Sequence, residues 1–155
     1  AQQDPTRVVG FILIPDPGKR IENWALHGEF WQSIDARVLD AINQLPHKSQ
    51  LDGILWHQGE SNAGESDYHE KLYQLINRFR EQTWYSWGKP FICGETVAYQ
   101  LINSQLMALN ANGDAWTGCV AGSDLTTQTD GYHFDAPALR EIGRRYAAKY
   151  LAMTR

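Results

Sequence analysis

Two short stretches hold the residue types that can do chemistry. One is Trp56-His57-Gln58-Gly59-Glu60-Ser61-Asn62, the other Asp130-Gly131-Tyr132-His133-Phe134-Asp135. In the second, His133 follows Asp130 by three residues. On a tight turn, that spacing lets the carboxylate accept a hydrogen bond from the imidazole. The bond fixes the tautomer and stabilises the imidazolium that forms when the ring acts as a general base. Spacing alone fits equally a helix-capping turn whose polar residues only satisfy backbone groups. In the first stretch, Gln58 carries two amide N–H donors of the kind an oxyanion needs. Gly59 permits a turn with positive φ. Glu60 can orient a neighbour or act as acid or base, and a buried polar network that fixes the loop accounts for it equally well.

A metal is the rival use for these side chains. His57 and Glu60 are three residues apart and His69 lies nine beyond Glu60, which matches neither a helical His-Glu-x-x-His pattern nor a Cys/His zinc spacing. No Gly-x-Gly-x-x-Gly or other phosphate-cradling loop is present, so no nucleotide cofactor is expected.

These stretches must be positioned by regular elements, and the chain alternates between strand and helix patterns. Residues 8–14 form a continuous apolar run that suits a strand buried on both faces, broken by Pro15-Asp16-Pro17-Gly18. Phe30, Ile34, Val38, Ala41, Ile42 and Leu45 have helical spacing, closed by Pro46. Residues 53–56 read as a short strand. A helix starts near Asp67, with Glu70 in a capping-box-like position and Tyr68, Leu72, Leu75, Ile76 and Phe79 as its buried stripe. Residues 90–93 are the next strand. Val97, Leu101, Gln105 and Ala108 then sketch a helix ending at Asn112-Gly113, a left-handed cap. Residues 116–121 are another strand. Asp135 is the expected N-cap of the last helix, with Pro137 in its first turn and Leu139, Ile142, Tyr146 and Tyr150 facing inward. Such alternation predicts a parallel sheet with helices on both faces, and the site then lies beyond the carboxyl ends of the strands.

The bulk properties narrow the function classes. The 155 residues suit one domain spanning 1–155, 43% hydrophobic and 21% charged. The net charge of -4 and the lack of a basic block argue against nucleic acid. No apolar run approaches a membrane span. The opening Ala1-Gln2-Gln3-Asp4 reads as a mature or trimmed end without a leader-like stretch. Cys93 and Cys119 fall in expected buried strands and read as free core thiols. Six Trp and seven Tyr fit either core packing or a surface where flat rings stack on sugars.

The run Gly53-Ile54-Leu55-Trp56-His57-Gln58-Gly59-Glu60-Ser61-Asn62 resembles the third block of the sialate O-acetylesterase and carbohydrate esterase family 6 branch of the SGNH hydrolases. Asp130-Gly131-Tyr132-His133-Phe134-Asp135 resembles that family's final block. Leu139-Arg140-Glu141-Ile142-Gly143-Arg144-Arg145-Tyr146-Ala147 resembles its closing helix, and Pro90-Phe91-Ile92-Cys93-Gly94-Glu95 the intervening strand. The likeness covers nearly the whole chain. It implies a three-layer α/β/α sandwich with a mainly parallel, flavodoxin-like sheet that removes acetyl groups from carbohydrates. By the same likeness His133 is the general base, Asp130 its orienting carboxylate, Gln58 the side-chain oxyanion donor and Glu60 a support of that loop or the triad.

The chain departs from the pattern twice. The family's nucleophilic serine sits in a Gly-Gln-Ser-Asn block on the first strand, and this chain has no such block; its serines are Ser33, Ser49, Ser61, Ser66, Ser86, Ser104 and Ser123. The domain is therefore expected to lack its first strand, with an N-terminal fragment or a second chain supplying the serine. Where the family has a Gly-Gly-[Ser/Thr]-x-Ile stretch, this chain has Pro17-Gly18-Lys19-Arg20-Ile21 leading to Trp24. Pro17 has no N–H, which leaves Gly18 as the oxyanion-hole candidate. The expected partner is an acetylated carbohydrate, with no nucleic acid and no membrane. Secretion or a periplasmic location is what the likeness implies for relatives acting on polysaccharides. The rival reading is a catalytically silent glycan-binding relative, or a fragment that needs a complementary N-terminal piece.

Overall fold

The computed structural model describes residues 9–25, 30–45 and 51–155. Among them, three parallel strands form one sheet in the order β1 (Ile54–Trp56), β2 (Phe91–Gly94), β3 (Thr117–Val120). Register pairs Trp56 with Cys93 and Cys93 with Cys119. Each strand lies within one residue of its expected place. The helices are α1 (Trp31–Asn43), α2 (Tyr68–Arg80), α3 (Gln100–Met107), α4 (Leu109–Asn112) and α5 (Ala136–Met153).

Side chains along a strand alternate between faces, and here the alternation separates two cores. Phe91, Cys93, Cys119 and Trp56 join a large cluster with α1, α2 and α3. Ile92 and Val120 join Phe134, Ala138, Ile142 and Tyr146 on the α5 side. Helices therefore cover both faces, and the fold is the expected α/β/α sandwich. Cys93 and Cys119 are buried free thiols, as their strand context predicts.

Helix boundaries follow local chemistry with informative exceptions. The five-residue stripe of α2 is fully buried, but Asp67 makes no capping bond; its carboxylate pairs with Lys71 one turn on, at 3.2 Å. Asp135 does cap α5, accepting from the Ala138 N–H at 2.9 Å, with Pro137 in the first turn. In α5 the buried stripe is Ala138, Ile142 and Tyr146, with Tyr150 partly buried. Leu139 lies one step around the helix from that stripe and is 55% exposed, not inward-facing. In α1, Trp31 joins Ile34 and Val38 in the core, while Leu45 stays exposed. The expected third helix is split into α3 and α4 at Ala108, and Gly113 is extended (φ -76) instead of left-handed. A Cβ on Gly113 would lie 2.0 Å from Thr117 Oγ1, so close approach explains this glycine.

The run read as a first strand behaves differently. Residues 9–14 form no strand. Ile12 and Ile14 pack against the large core, while Phe11 and Leu13 are 74% and 78% exposed. Apolar composition favours a strand, but a ladder needs a neighbour to receive its N–H and C=O groups. Among the described residues, none pairs with this segment. Val8 and Pro46, read as bounds of the first strand and first helix, lie outside the described residues.

The sheet's carboxyl end depends on one tight approach. Tyr146 from α5 donates its hydroxyl to the Trp56 carbonyl at 2.9 Å, passing over Gly94. A Cβ at Gly94 would lie 2.3 Å from that hydroxyl and 3.1 Å from His57 Nδ1. Gly94→Ala is expected to lower stability by about 1–3 kcal/mol through overpacking. Urea denaturation should show a lower midpoint with an unchanged slope.

Candidate active site

Three loops leave the carboxyl ends of the strands: residues 57–62 after β1, 95–99 after β2 and 121–135 after β3. A fourth segment, residues 15–25, lies against the first of them. The chemistry-bearing residues from both sequence stretches gather at this end of the sheet.

The 57–62 loop is built around Asn62, which is 1% exposed. Its Oδ1 accepts from the Ile21 N–H at 2.9 Å and from Gln58 Nε2 at 2.9 Å. Its Nδ2 donates to Glu22 at 3.1 Å and Glu65 at 3.0 Å. A buried amide can stay this deep only because every donor and acceptor is matched. Gln58 is held as firmly. Its Nε2 also donates to the Lys19 carbonyl at 3.1 Å, and its Oε1 accepts from the Tyr68 hydroxyl at 2.7 Å. Tyr68 in turn accepts from the Trp56 indole at 3.2 Å. Gly59 is required by contact, since a Cβ there would lie 2.5 Å from Ile102 Cγ2.

The same network fixes the segment that carries Gly18. Gly18 has φ 72, a left-handed conformation that suits glycine. The chain then enters a 3-10 turn, Ile21–Trp24, whose first N–H is the one Asn62 receives. Trp24 packs edge-on against Trp56, with centroids 5.4 Å apart. Arg20 pairs with Glu65, and Lys71 bridges Glu22 at 2.7 Å and Glu65 at 2.6 Å. Partial burial acts to raise the Glu22 pKa, but the hydrogen bonds from Lys71 and Asn62 outweigh it and hold the carboxyl at about 2. Gln58 and Gly18, the two oxyanion candidates, are thus brought together through the Lys19 carbonyl. Both amide hydrogens of Gln58 are engaged in holding the loops.

His133 and Asp130 sit on a compact turn. Gly131 takes φ 75, the Gln128 N–H donates to the His133 carbonyl at 2.8 Å, and Thr127 bridges Phe134. Asp130 Oδ1 accepts the backbone N–H groups of Tyr132 (2.9 Å) and His133 (3.0 Å). Asp130 Oδ2 meets His133 Nδ1 at 2.7 Å. An ionised carboxylate only accepts, so Nδ1 carries the proton and Nε2 presents a lone pair. The imidazole bond, helped by the two backbone donors, lowers the Asp130 pKa to about 2. That bond and the carboxylate's charge raise the His133 pKa above 6.5, with the Glu60 charge adding to the rise.

Glu60 reaches both sequence stretches electrostatically, since its charge also acts on His57. The Tyr146 hydroxyl spends its proton on the Trp56 carbonyl, so His57 Nδ1, 3.2 Å away, is the donor to it. The His57 residue is open to solvent on one side, but its ring packs on Phe134 with centroids 5.5 Å apart. That burial lowers its pKa below 6.5, and Glu60 opposes the shift. The two histidines are therefore displaced in opposite directions.

Two contributors, Tyr146 and Glu95, lie in stretches where no site role was expected. Tyr146 reads as a core residue of α5. Glu95 accepts from the Gly122 N–H (3.0 Å), the Ser123 N–H (3.2 Å) and the Ser123 hydroxyl (2.7 Å), tying the loop after β2 to that after β3. Its place directly after a strand was the available clue. Among the described residues, no serine hydroxyl is hydrogen-bonded to His133, and no group of three or more His, Cys, Asp and Glu side chains is arranged to hold a metal. No described helix is long and apolar enough to cross a membrane.

Comparison with known proteins shows the family and the fold. The family model for carbohydrate esterase, sialic acid-specific acetylesterase, matches residues 1–152. No curated protein sequence matches. Among solved structures, a protein from Arabidopsis thaliana superposes with a TM-score of 0.74 at 18% identity over 87% of this chain. The chain spans 57% of that protein's length.

Two outcomes follow from the geometry. Asn62→Ala strands the buried Ile21 N–H, which costs about 1–3 kcal/mol, and leaves three part-buried partners unmatched. It should lower stability by roughly 3 kcal/mol in denaturant titrations. In a histidine-resolved NMR titration, the His133 midpoint should lie above 6.5, and Asp130→Asn should bring it down.

Proposed function

We propose that this chain, which belongs to the sialic acid-specific acetylesterase family of carbohydrate esterases, carries the base half of a site that removes acetyl groups from carbohydrates. The observation that supports this most is the Asp130–His133 pair, whose bare Nε2 lies at the sheet's carboxyl end within the field of Glu60. In this reading a serine hydroxyl attacks the acetyl carbonyl while His133 Nε2 takes its proton. The C–O bond to the sugar breaks, and the sugar oxygen leaves with that proton. His133 then deprotonates water, which releases acetate and restores the serine. Asp130 stabilises the imidazolium in both steps. The Gly18 N–H and one Gln58 N–H, the latter released from the Lys19 carbonyl or from Asn62, are the proposed oxyanion donors. Asp130 keeps His133 basic, and the Glu60 charge adds to the effect.

The serine is proposed to come from an N-terminal fragment or a second chain. In support, among the described residues β1 is hydrogen-bonded on one side only, Leu55 in its centre is half exposed, and the apolar segment 9–14 has no strand partner. A second reading has its own support. The full engagement of the Gln58 amide and the lack of a serine on His133 among the described residues favour a silent glycan-binding relative.

Hydrolysis of a small chromogenic acetate ester separates the two. On the esterase reading the preparation hydrolyses it, and His133→Ala lowers the rate by about 10²–10⁴-fold. Intact mass would then identify any second polypeptide that supplies the serine. The base must be neutral, so kcat/KM should rise with pH through the His133 pKa, above 6.5. Asp130→Asn should move that limb to lower pH and reduce the plateau. A folded but inert chain would sink the esterase reading and favour glycan binding.

A further inference from the structure

Beside His133 stands an aromatic ring for which neither the catalytic pair nor the core has a use. Tyr132 is 55% exposed at the sheet's carboxyl end. Its orientation is nevertheless fixed. The ring stacks on Tyr99, with centroids 6.3 Å apart and planes 14° from parallel. Tyr99 is half-buried, packs against the large core and is the residue before α3. The stack therefore bridges the loop after β2 and the loop after β3, and the core backs it from behind. Tyr132 is also anchored from its own backbone. Its N–H donates to Asp130 Oδ1, the oxygen that receives the His133 N–H. Ring and imidazole thus belong to one turn, and Tyr132 remains more than half exposed.

We propose that the exposed ring of Tyr132 is a stacking platform for a pyranose ring of the acetylated substrate, making Tyr132 a specificity-determining residue. The inference rests on the esterase reading and assigns the substrate's sugar a place within it. An aromatic face carries negative quadrupole charge, and the C–H groups on one face of a pyranose present the complementary positive edge. A ring already held by Tyr99 loses little freedom when a sugar settles on it, which favours binding. The platform selects for a flat, C–H-bearing ring next to the ester and offers little to a plain alkyl acetate.

The test measures binding apart from turnover. A partially O-acetylated methyl glucopyranoside is titrated by NMR into the 155-residue chain carrying His133→Ala, which blocks hydrolysis. Adding Tyr132→Ala should weaken Kd about tenfold, the equivalent of about 1.4 kcal/mol. Tyr132→Phe keeps the face and should stay within roughly twofold of the parent. Tyr132 is exposed, and circular dichroism checks that each variant folds. An unchanged Kd in Tyr132→Ala overturns the proposal, as does a Phe variant as weak as the Ala variant or a parent that does not bind the glycoside. Hydrolysis of the chromogenic acetate by the chain with His133 intact is read separately. Failure there removes the esterase reading, while the titration still decides whether Tyr132 holds a saccharide.

Discussion

The site end of this molecule depends on one buried amide. Asn62 closes four hydrogen bonds from a position almost sealed from solvent, and its partners come from three separate parts of the chain. A polar group in such a place is costly unless wholly satisfied, so the arrangement is close to all-or-none. With Asn62 in place, the segment bearing Gly18, the loop bearing Gln58 and the start of α2 have one relative position. The surrounding ion pairs of Arg20, Glu22, Glu65 and Lys71 are partly exposed, and pairs of that kind contribute little individually. They complete the rim of a network that the amide defines.

On the other side of the sheet, position is set by packing. Tyr146 crosses Gly94 to reach the end of β1, and Glu95 crosses to the backbone of Gly122 and Ser123. Both contacts need a glycine where a side chain would collide: a Cβ on Gly122 would lie 2.6 Å from the Glu95 carbonyl. The glycines at these strand ends thus act through proximity, which lets one side chain reach a backbone carbonyl and another reach backbone N–H groups.

What the sequence disclosed divides by distance along the chain. The strands, the stripe of α2, the cap of α5 and the Asp130–His133 pair depend on neighbours a few residues away, so pattern and spacing exposed them. The Ile21–Asn62 bond spans 41 residues and that between His57 and Tyr146 spans 89, and no local pattern encodes either. Gln58 illustrates the limit well. Its type suits an oxyanion donor, but its amide is taken up by Asn62 in the same loop and by the Lys19 carbonyl 39 residues away, and only the fold brings the second of these near. Residues 9–14 err for a related reason: strand composition is local, whereas the ladder that makes a strand is not. Leu139 and Gly113 were misplaced by smaller margins, one by a single step around a helix and the other by confusing a close contact with a turn.

The turn that carries His133 has a further property. Its bonds run mostly among residues 126–135: Gly131 to Gln128, Gln128 to His133, Asp135 to Thr126, and the N–H groups of Tyr132 and His133 to the Asp130 carboxylate. The opposing loops, by contrast, depend on the long-range amide. The two halves of the site are thus unequal in autonomy. Thermal or chemical loosening would release the Gly18 and Gln58 side first and leave the imidazole and its carboxylate aligned. On the proposed esterase reading, such a site would lose its oxyanion donors before its base, and re-docking the Gly18 and Gln58 side onto the assembled half would restore it.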